Sequence, residues 1–311
     1  MLLVLTRRLA NVIPTLVAVV ALVFLLFSVL PGSFVSAMNE DGRTSIDPAV
    51  MERMRKEMGL DDPLPERFAK YLAHTAVGDL GISFRTREPV TKLIGARVWP
   101  SLKLVFVAMA FAISVGVTLG FFAALRPGSI LDTVSMVFAL SGLSLSQFWF
   151  GLMLMYLFAL QLKWLPSFGY GDGGLTHVIL PAVALGVGPM ALLARTTRAA
   201  VLEILNADFV RTARSKGMSE RRVVEWHVLR NALVLVITIV GLQFGSLMGA
   251  AVVVEKLFAW PGVGSLLVDS VFQRDIPTVQ GCILLIVLFF LFINTLVDLA
   301  YVVIDPRIRH G

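Results

Sequence analysis

The sequence predicts an all-α integral membrane protein of six transmembrane helices, with its N and C termini both cytoplasmic. Three observations predict it. The 311 residues are 57% hydrophobic and 15% charged, with a mean hydropathy of +0.83, whereas a soluble domain carries roughly 25% charged residues. The apolar residues gather into runs at 9–30, 101–125, 133–160, 177–194, 232–254 and 279–303, in which the only charges are Lys103 and Asp298. Each run is 18 to 28 residues long, enough for a helix to cross a hydrocarbon core of about 30 Å. The ten-residue alternating segments of an outer-membrane barrel are absent, so helices must do the spanning.

The first run follows Arg7 and Arg8. Its apolar core of 22 residues exceeds the roughly 7–15 of a secretory signal, so a retained first helix is expected within 1–30. Residues 31–100 follow, with ten basic and ten acidic side chains. Asp47 as N-cap, Pro48 at the first helical position and Gly59 as stop predict a helix. A second amphipathic stretch covers Pro65 to His74. With Met51, Met54, Met58, Leu60, Phe68 and Tyr71 as candidate core, 31–100 is expected to be an extracytoplasmic subdomain. The remainder, 101–311, holds the other five spans.

Charge placement sets the orientation. With the N-terminus inside, the inner segments carry 13 Lys and Arg, while the two short outer loops carry only Lys163, Lys256 and Arg274. That asymmetry is the positive-inside rule. It accounts for the net charge of +6 without nucleic acid. The single cysteine, Cys282, lies in the last span, so no intrachain disulfide forms. Small residues four apart recur as Gly116 and Gly120 in the second span and Gly241, Gly245 and Gly249 in the fifth. Such spacing brings helix backbones close in lipid, within one subunit or between two.

Motifs of catalysis are missing. No lysine follows a glycine, so the chain has no phosphate-binding loop for ATP. The four histidines, His74, His177, His227 and His310, lack metal-ligand spacing. Polar groups within the spans include Lys103, Gln243, Asn294 and Asp298. Lys103, at a span end, is expected to snorkel. Asp298 lies near the inner edge, where it either pairs with Arg195 or Arg198 or is hydrated. If it carried a proton or ion instead, the protein would be an ion- or proton-coupled secondary transporter, the alternative reading.

The inner loop 195–231 is the most unusual segment, with eight basic and four acidic residues. Val201, Leu202, Leu205, Phe209 and Ala213 recur at helical spacing. Gly217 interrupts, Ser219 can cap a new helix, and Val223, Val224, Trp226, His227 and Val228 follow. Two short helices with an apolar edge and a basic face suit docking into a partner's groove or lying on anionic lipid.

This loop resembles a known motif. Ala207-Asp208-Phe209-Val210-Arg211-Thr212-Ala213-Arg214-Ser215-Lys216-Gly217, then His227-Val228-Leu229-Arg230-Asn231-Ala232, is similar to the EAA loop of ABC importer permeases. The version is that of the dipeptide, oligopeptide, nickel and glutathione permease family. Met58-Gly59-Leu60-Asp61-Asp62-Pro63, Gly78-Asp79-Leu80-Gly81-Ile82-Ser83-Phe84, Trp164-Leu165-Pro166, Val253-Val254-Glu255-Lys256-Leu257-Phe258, Trp260-Pro261-Gly262-Val263-Gly264, Arg274-Asp275-Ile276-Pro277 and Asp305-Pro306-Arg307-Ile308-Arg309 agree as well. Only Ala213 of Arg211-Thr212-Ala213 matches the generic motif. Arg230, Gln147 and Leu235 stand where proline is expected, which puts local helix kinks in question.

The resemblance implies a type I ABC importer permease in the inner membrane of a bacterium, moving a peptide or peptide-like solute by alternating access. Its implied partners are a homologous second permease as heterodimer, two cytoplasmic ATPases, an extracytoplasmic substrate-binding protein met near 31–100, and membrane lipid. No catalytic residue, metal or cofactor is implied for this chain; ATP and Mg would sit in the partner ATPases. Asp208, Arg211, Thr212, Ala213, Arg214, Lys216, Gly217, His227, Leu229, Arg230 and Asn231 would couple to the ATPase, with Gly217 giving the turn its freedom. Phe148, Trp149 and Gln243 are the candidates to line the passage.

Overall fold

The computed structural model describes the backbone of residues 2–29 and 62–304 and the side chains of 13–28 and 62–297. Most of those residues are helical, with one isolated antiparallel bridge between Ile82 and Pro89 and no strand among them. In chain order the first helices are α1 (Leu2–Val29) and α2 (Leu64–Ala76). Prolines at its start suit α2, because the first helical N–H groups need no intrahelical acceptor. Phe68 and Tyr71 of α2 face Phe24 of α1, with ring centroids 5.4 and 5.7 Å away. The expected helix at 48–59, with Met51, Met54, Met58 and Leu60, lies outside the described residues.

Helix α3 (Val90–Leu125) runs for 36 residues, starting well before its apolar run. Helix α4 (Ile130–Ser144) follows, its first turn capped by Ser129, whose Oγ accepts from Asp132 N at 3.2 Å. Helix α5 (Gln147–Gln161) is α-helical to Leu154 and π-helical from Met155. The run 133–160, expected as one span, is therefore two helices meeting at 111°. Leu145 and Ser146 adopt extended ψ angles of 132° and 129°, and Leu145 N still donates to Ser141 O at 3.0 Å. The bend needs no proline at Gln147.

Helix α6 (Leu175–Leu205) is 31 residues long and contains Pro181 and Pro189. Two-thirds of its apolar stretch is buried, a larger share than in α3 or the later long helices, so it forms the centre of its unit. Helix α7 (Asp208–Ser215) is short. Helix α8 (Glu220–Leu257) passes through a π-helical turn at Val223–Leu229. Helices α9 (Val263–Phe272) and α10 (Ile276–Ile304) complete the described chain.

By length and composition α3, α6, α8 and α10 can each cross a membrane, and the bent α4–α5 pair makes a fifth candidate. The described part of α1 with side chains, Ile13–Ser28, is a shorter apolar helix. Contacts gather into two compact units, one of residues 100–261 with 290 onward, the other of 2–99 with 262–289. In the second unit, Val90 and Ile94 of α3 pack with Val263 of α9 and the buried Cys282 of α10.

Candidate functional site

The segment between α6 and α8 is built on an apolar seat. Helix α6 continues through Arg195 and Arg198 to Leu205, so the expected loop begins inside a helix and the chain turns only at Asn206–Ala207. The charges that ended the apolar run did not end the helix. Val210 and Ala213 of α7, at i and i+3, are buried with Ala200 and Val201 of α6, Ala124 of α3, and Val223, Val228 and Ala232 of α8. Phe121, Leu202, Ile204, Leu205 and Met218 pack around them. The second expected short helix is instead the start of the long α8.

Outside that seat, α7 presents charge. Asp208, in its first turn, and Arg211 are both exposed, 3.7 Å apart. Thr212 Oγ1 donates to Asp208 O at 2.9 Å, inside the helix. Arg214 grips Glu220 with Nη2 to Oε1 at 2.6 Å and Nε to Oε2 at 3.1 Å, bracing α7 against the start of α8. The Arg214 guanidinium holds the Glu220 carboxyl below its ordinary value. Lys216 is exposed at the end of α7.

Gly217 has φ +77° and its N–H donates to Arg214 O at 2.9 Å, closing the helix. A Cβ there would touch nothing within 4 Å, so backbone conformation alone asks for glycine. His227 and Leu229 sit on the π-helical turn. The His227 ring lies 6.4 Å from Phe209 of α7. Asn231 Nδ2 donates to His227 O at 2.6 Å. Arg230 and Asn231 are exposed. The structure thus places all eleven predicted loop residues on α7, its closing turn and the first turns of α8.

The glycines fall into three settings. At Gly116 an added Cβ would lie 2.5 Å from the Met190 carbonyl oxygen, and at Gly120 it would strike that of Ala194, so α3 and α6 cross backbone to backbone. Gly186 of α6 meets Ala108 of α3 in the same way. On α8, Gly241 meets Val297, and Gly245 meets Phe290 and Asn294 of α10. Gly249 faces open space. Of the passage candidates, Phe148 and Trp149 are about half exposed on α5 and Gln243 is half-buried on α8.

Several polar contacts escaped the sequence. Lys103 donates to the Gly173 carbonyl and lies 5.6 Å from the Tyr170 ring, so it is tethered rather than snorkelling. Glu255, expected in an outer loop, is 1% exposed and accepts from Ser101 Oγ at 2.5 Å. Trp260 Nε1 donates to Pro100 O at 2.9 Å. Arg198 pairs with Asp132 on α4 rather than standing ready for Asp298, whose side chain lies outside the described residues. Asp275 gathers Ser83 and Phe84, which joins two of the motif stretches. The partners sit 66 to 192 residues apart, beyond any local pattern.

The described residues are largely helical, and among them a charged segment rests on the ends of three long helices. The chain belongs to the family described as binding-protein-dependent transport system inner membrane component, whose model matches residues 116–310, and the companion N-terminal model matches 1–105. It is therefore a multi-pass bacterial inner-membrane protein, a non-catalytic permease subunit of an ABC importer. Permease subunits of this family bind no cofactor themselves, and membership implies ATPase and permease partners.

Among curated relatives, the chain is 45% identical over 304 residues to the glutathione transport system permease protein GsiC of Pectobacterium atrosepticum, covering 98% of both chains. It is 43% identical over the same length and coverage to GsiC of Escherichia coli. In fold it is similar to the inward-facing MetNI methionine ABC transporter, with TM-score 0.59 and 20% identity over 70% of this chain and 99% of that one. A crystal structure of an amino acid ABC transporter with histidines gives TM-score 0.54 and 18% identity over 68% of this chain and 94% of that one.

Proposed function

We propose that this permease moves a peptide-like solute of the glutathione or short-peptide class into the cell by alternating access, and that α7 with the Gly217 turn receives the motion of a cytoplasmic ATPase. Full-length identity of 45% to a glutathione permease supports the solute class. The single observation that carries the coupling role is the seat of α7: Val210 and Ala213 are buried against the ends of α3, α6 and α8. A push on α7 therefore reaches three long helices through close-packed side chains, which transmit displacement because interiors compress little.

In this account both termini are cytoplasmic and the six apolar runs all span. Arg211, Lys216 and Arg230, exposed around α7, meet acidic groups of the ATPase or lipid phosphate. ATP with Mg is bound by two ATPase subunits, a homologous second permease completes the passage, and a substrate-binding protein delivers the solute to the 31–100 subdomain. Phe148, Trp149 and Gln243 face the passage, and the Gly116–Gly120 and Gly241–Gly245 pairs set the helix spacing.

The test is to express the chain with its ATPases, second permease and binding protein, extract the complex in mild detergent and reconstitute it. The account expects the ATPases to co-purify and labelled glutathione or a short peptide to enter vesicles only with ATP. Uptake driven by a proton gradient without ATP would contradict it.

A further inference from the structure

The start of α4 is tied to α6 by a contact that the coupling reading does not use. Asp132, in the first turn of α4, is 4% exposed. Arg198 of α6 holds it in a two-pronged pair, Nε to Oδ1 at 2.5 Å and Nη2 to Oδ2 at 2.8 Å. Gly128 N donates to the same carboxylate at 2.9 Å. One carboxylate thus joins the 126–129 turn, the first turn of α4 and the lower half of α6. Two and three residues further along α6, Ala200 and Val201 lie in the apolar seat of α7.

Elsewhere α4 meets α6 through small side chains. Ala139 packs with Ala191 and Ala194, and a Cβ on Gly142 would lie 3.1 Å from that of Ala191. Small residues allow close approach but give no directional bond, so such a surface resists separation more than sliding. A fork-to-fork guanidinium–carboxylate pair fixes direction as well as distance. Among the described residues it is the salt bridge that joins α4 to α6.

We infer that the Asp132–Arg198 pair is a positioning joint that sets the register of α4 on α6, so that motion delivered through α7 carries α4 and the bent α4–α5 pair along. This rests on α7 being the ATPase-coupling element. Without the joint, α6 would still move with α7, but α4 would lag. ATP would be spent without matching uptake.

The test uses the reconstituted complex and reads solute taken up per ATP hydrolysed, a ratio that a simple loss of folded protein does not alter. In Asp132→Asn the ATPases should stay bound and hydrolysis should continue, while uptake per ATP falls about tenfold, the scale of a broken coupling element. Arg198→Lys, which keeps the charge and loses the fork, should fall between this variant and wild type. An unchanged ratio in Asp132→Asn, or a fall in uptake matched by an equal fall in hydrolysis, overturns the proposal.

Should Asp132→Asn fail to assemble, spin labels at Ile130→Cys and Arg195→Cys in a Cys282→Ser background supply the second measurement. Their separation should stay constant between nucleotide-free and ATP-trapped complexes; a shift between the two overturns the joint. Failure of the underlying reading has a different signature, because Gly217→Pro would then leave uptake per ATP intact.

Discussion

Asp132 and Asp275 are both buried carboxylates, 4% and 3% exposed, but they are held in different ways. Asp132 meets a cation from another long helix, with one backbone N–H in support. Asp275 is caged by neutral donors: Ser83 Oγ at 2.6 Å, Phe84 N at 3.0 Å and Thr278 Oγ1 at 2.7 Å. The cage fastens the 83–84 turn to the start of α10, where unpaired helix N–H groups favour negative charge. The difference teaches that two buried acids of the same type do separate work. One locks a turn to a helix end, and the other sets two helices in register.

The largest effect is expected at the cage. Asp275→Ala removes the acceptor that the Ser83 and Thr278 hydroxyls share, both 0% exposed, and each stranded buried polar group costs about 1–3 kcal/mol. The folded yield in detergent should collapse, and Asp275→Asn should recover part of it. Equal thermal stability of Asp275→Ala and wild type would remove the contrast.

At the joint the two partners are unequal. The Arg198 side chain is 28% exposed and that of Asp132 6%, so the arginine can reach water when its partner is neutral and the aspartate cannot. Arg198→Leu should therefore cost about 3–5 kcal/mol by leaving a buried charge unpaired, whereas Asp132→Asn should cost clearly less. Melting temperatures of the purified variants check the order, and the reverse order contradicts the assignment of the buried partner.

The smallest effect belongs to the exposed Arg214–Glu220 pair. Glu220→Gln should change stability by about 0.2–1 kcal/mol, the range of exposed ion pairs. Because Arg214 depresses the Glu220 pKa, the pair's contribution is present above the ordinary glutamate value and is lost as pH falls through the depressed one. Wild type and variant should therefore converge in acid, which thermal melts at two pH values will show.

How much of this was legible depends on range. Hydropathy marked α3, α6, α8 and α10, because transfer free energy adds along a run. It could not see the 111° bend after Ser144, since two extended residues leave the apolar count untouched. It closed α6 too early at Arg195, reading charge as the end of a helix that continues to Leu205. Glycine spacing pointed to close helix packing within or between subunits, but not to the crossing of α3 and α6 or to which glycine faces open space. The motif stretches around Ser83 and Asp275 stood out separately, and only the fold shows that they meet. In the loop, residue types and spacing left docking and lipid binding both open, and the burial of Val210 and Ala213 beside Ala124 required three dimensions.

The most direct test of the central claim is uptake per ATP hydrolysed in the reconstituted complex carrying Gly217→Pro. Proline cannot adopt φ +77° and removes the N–H that bonds Arg214 O. The turn between α7 and α8 must then change shape. If α7 and this turn carry the ATPase motion into the helices, the ratio falls sharply, and Gly217→Ala, strained only by its left-handed backbone, falls less. A Gly217→Pro complex that transports with the wild-type ratio would contradict the account.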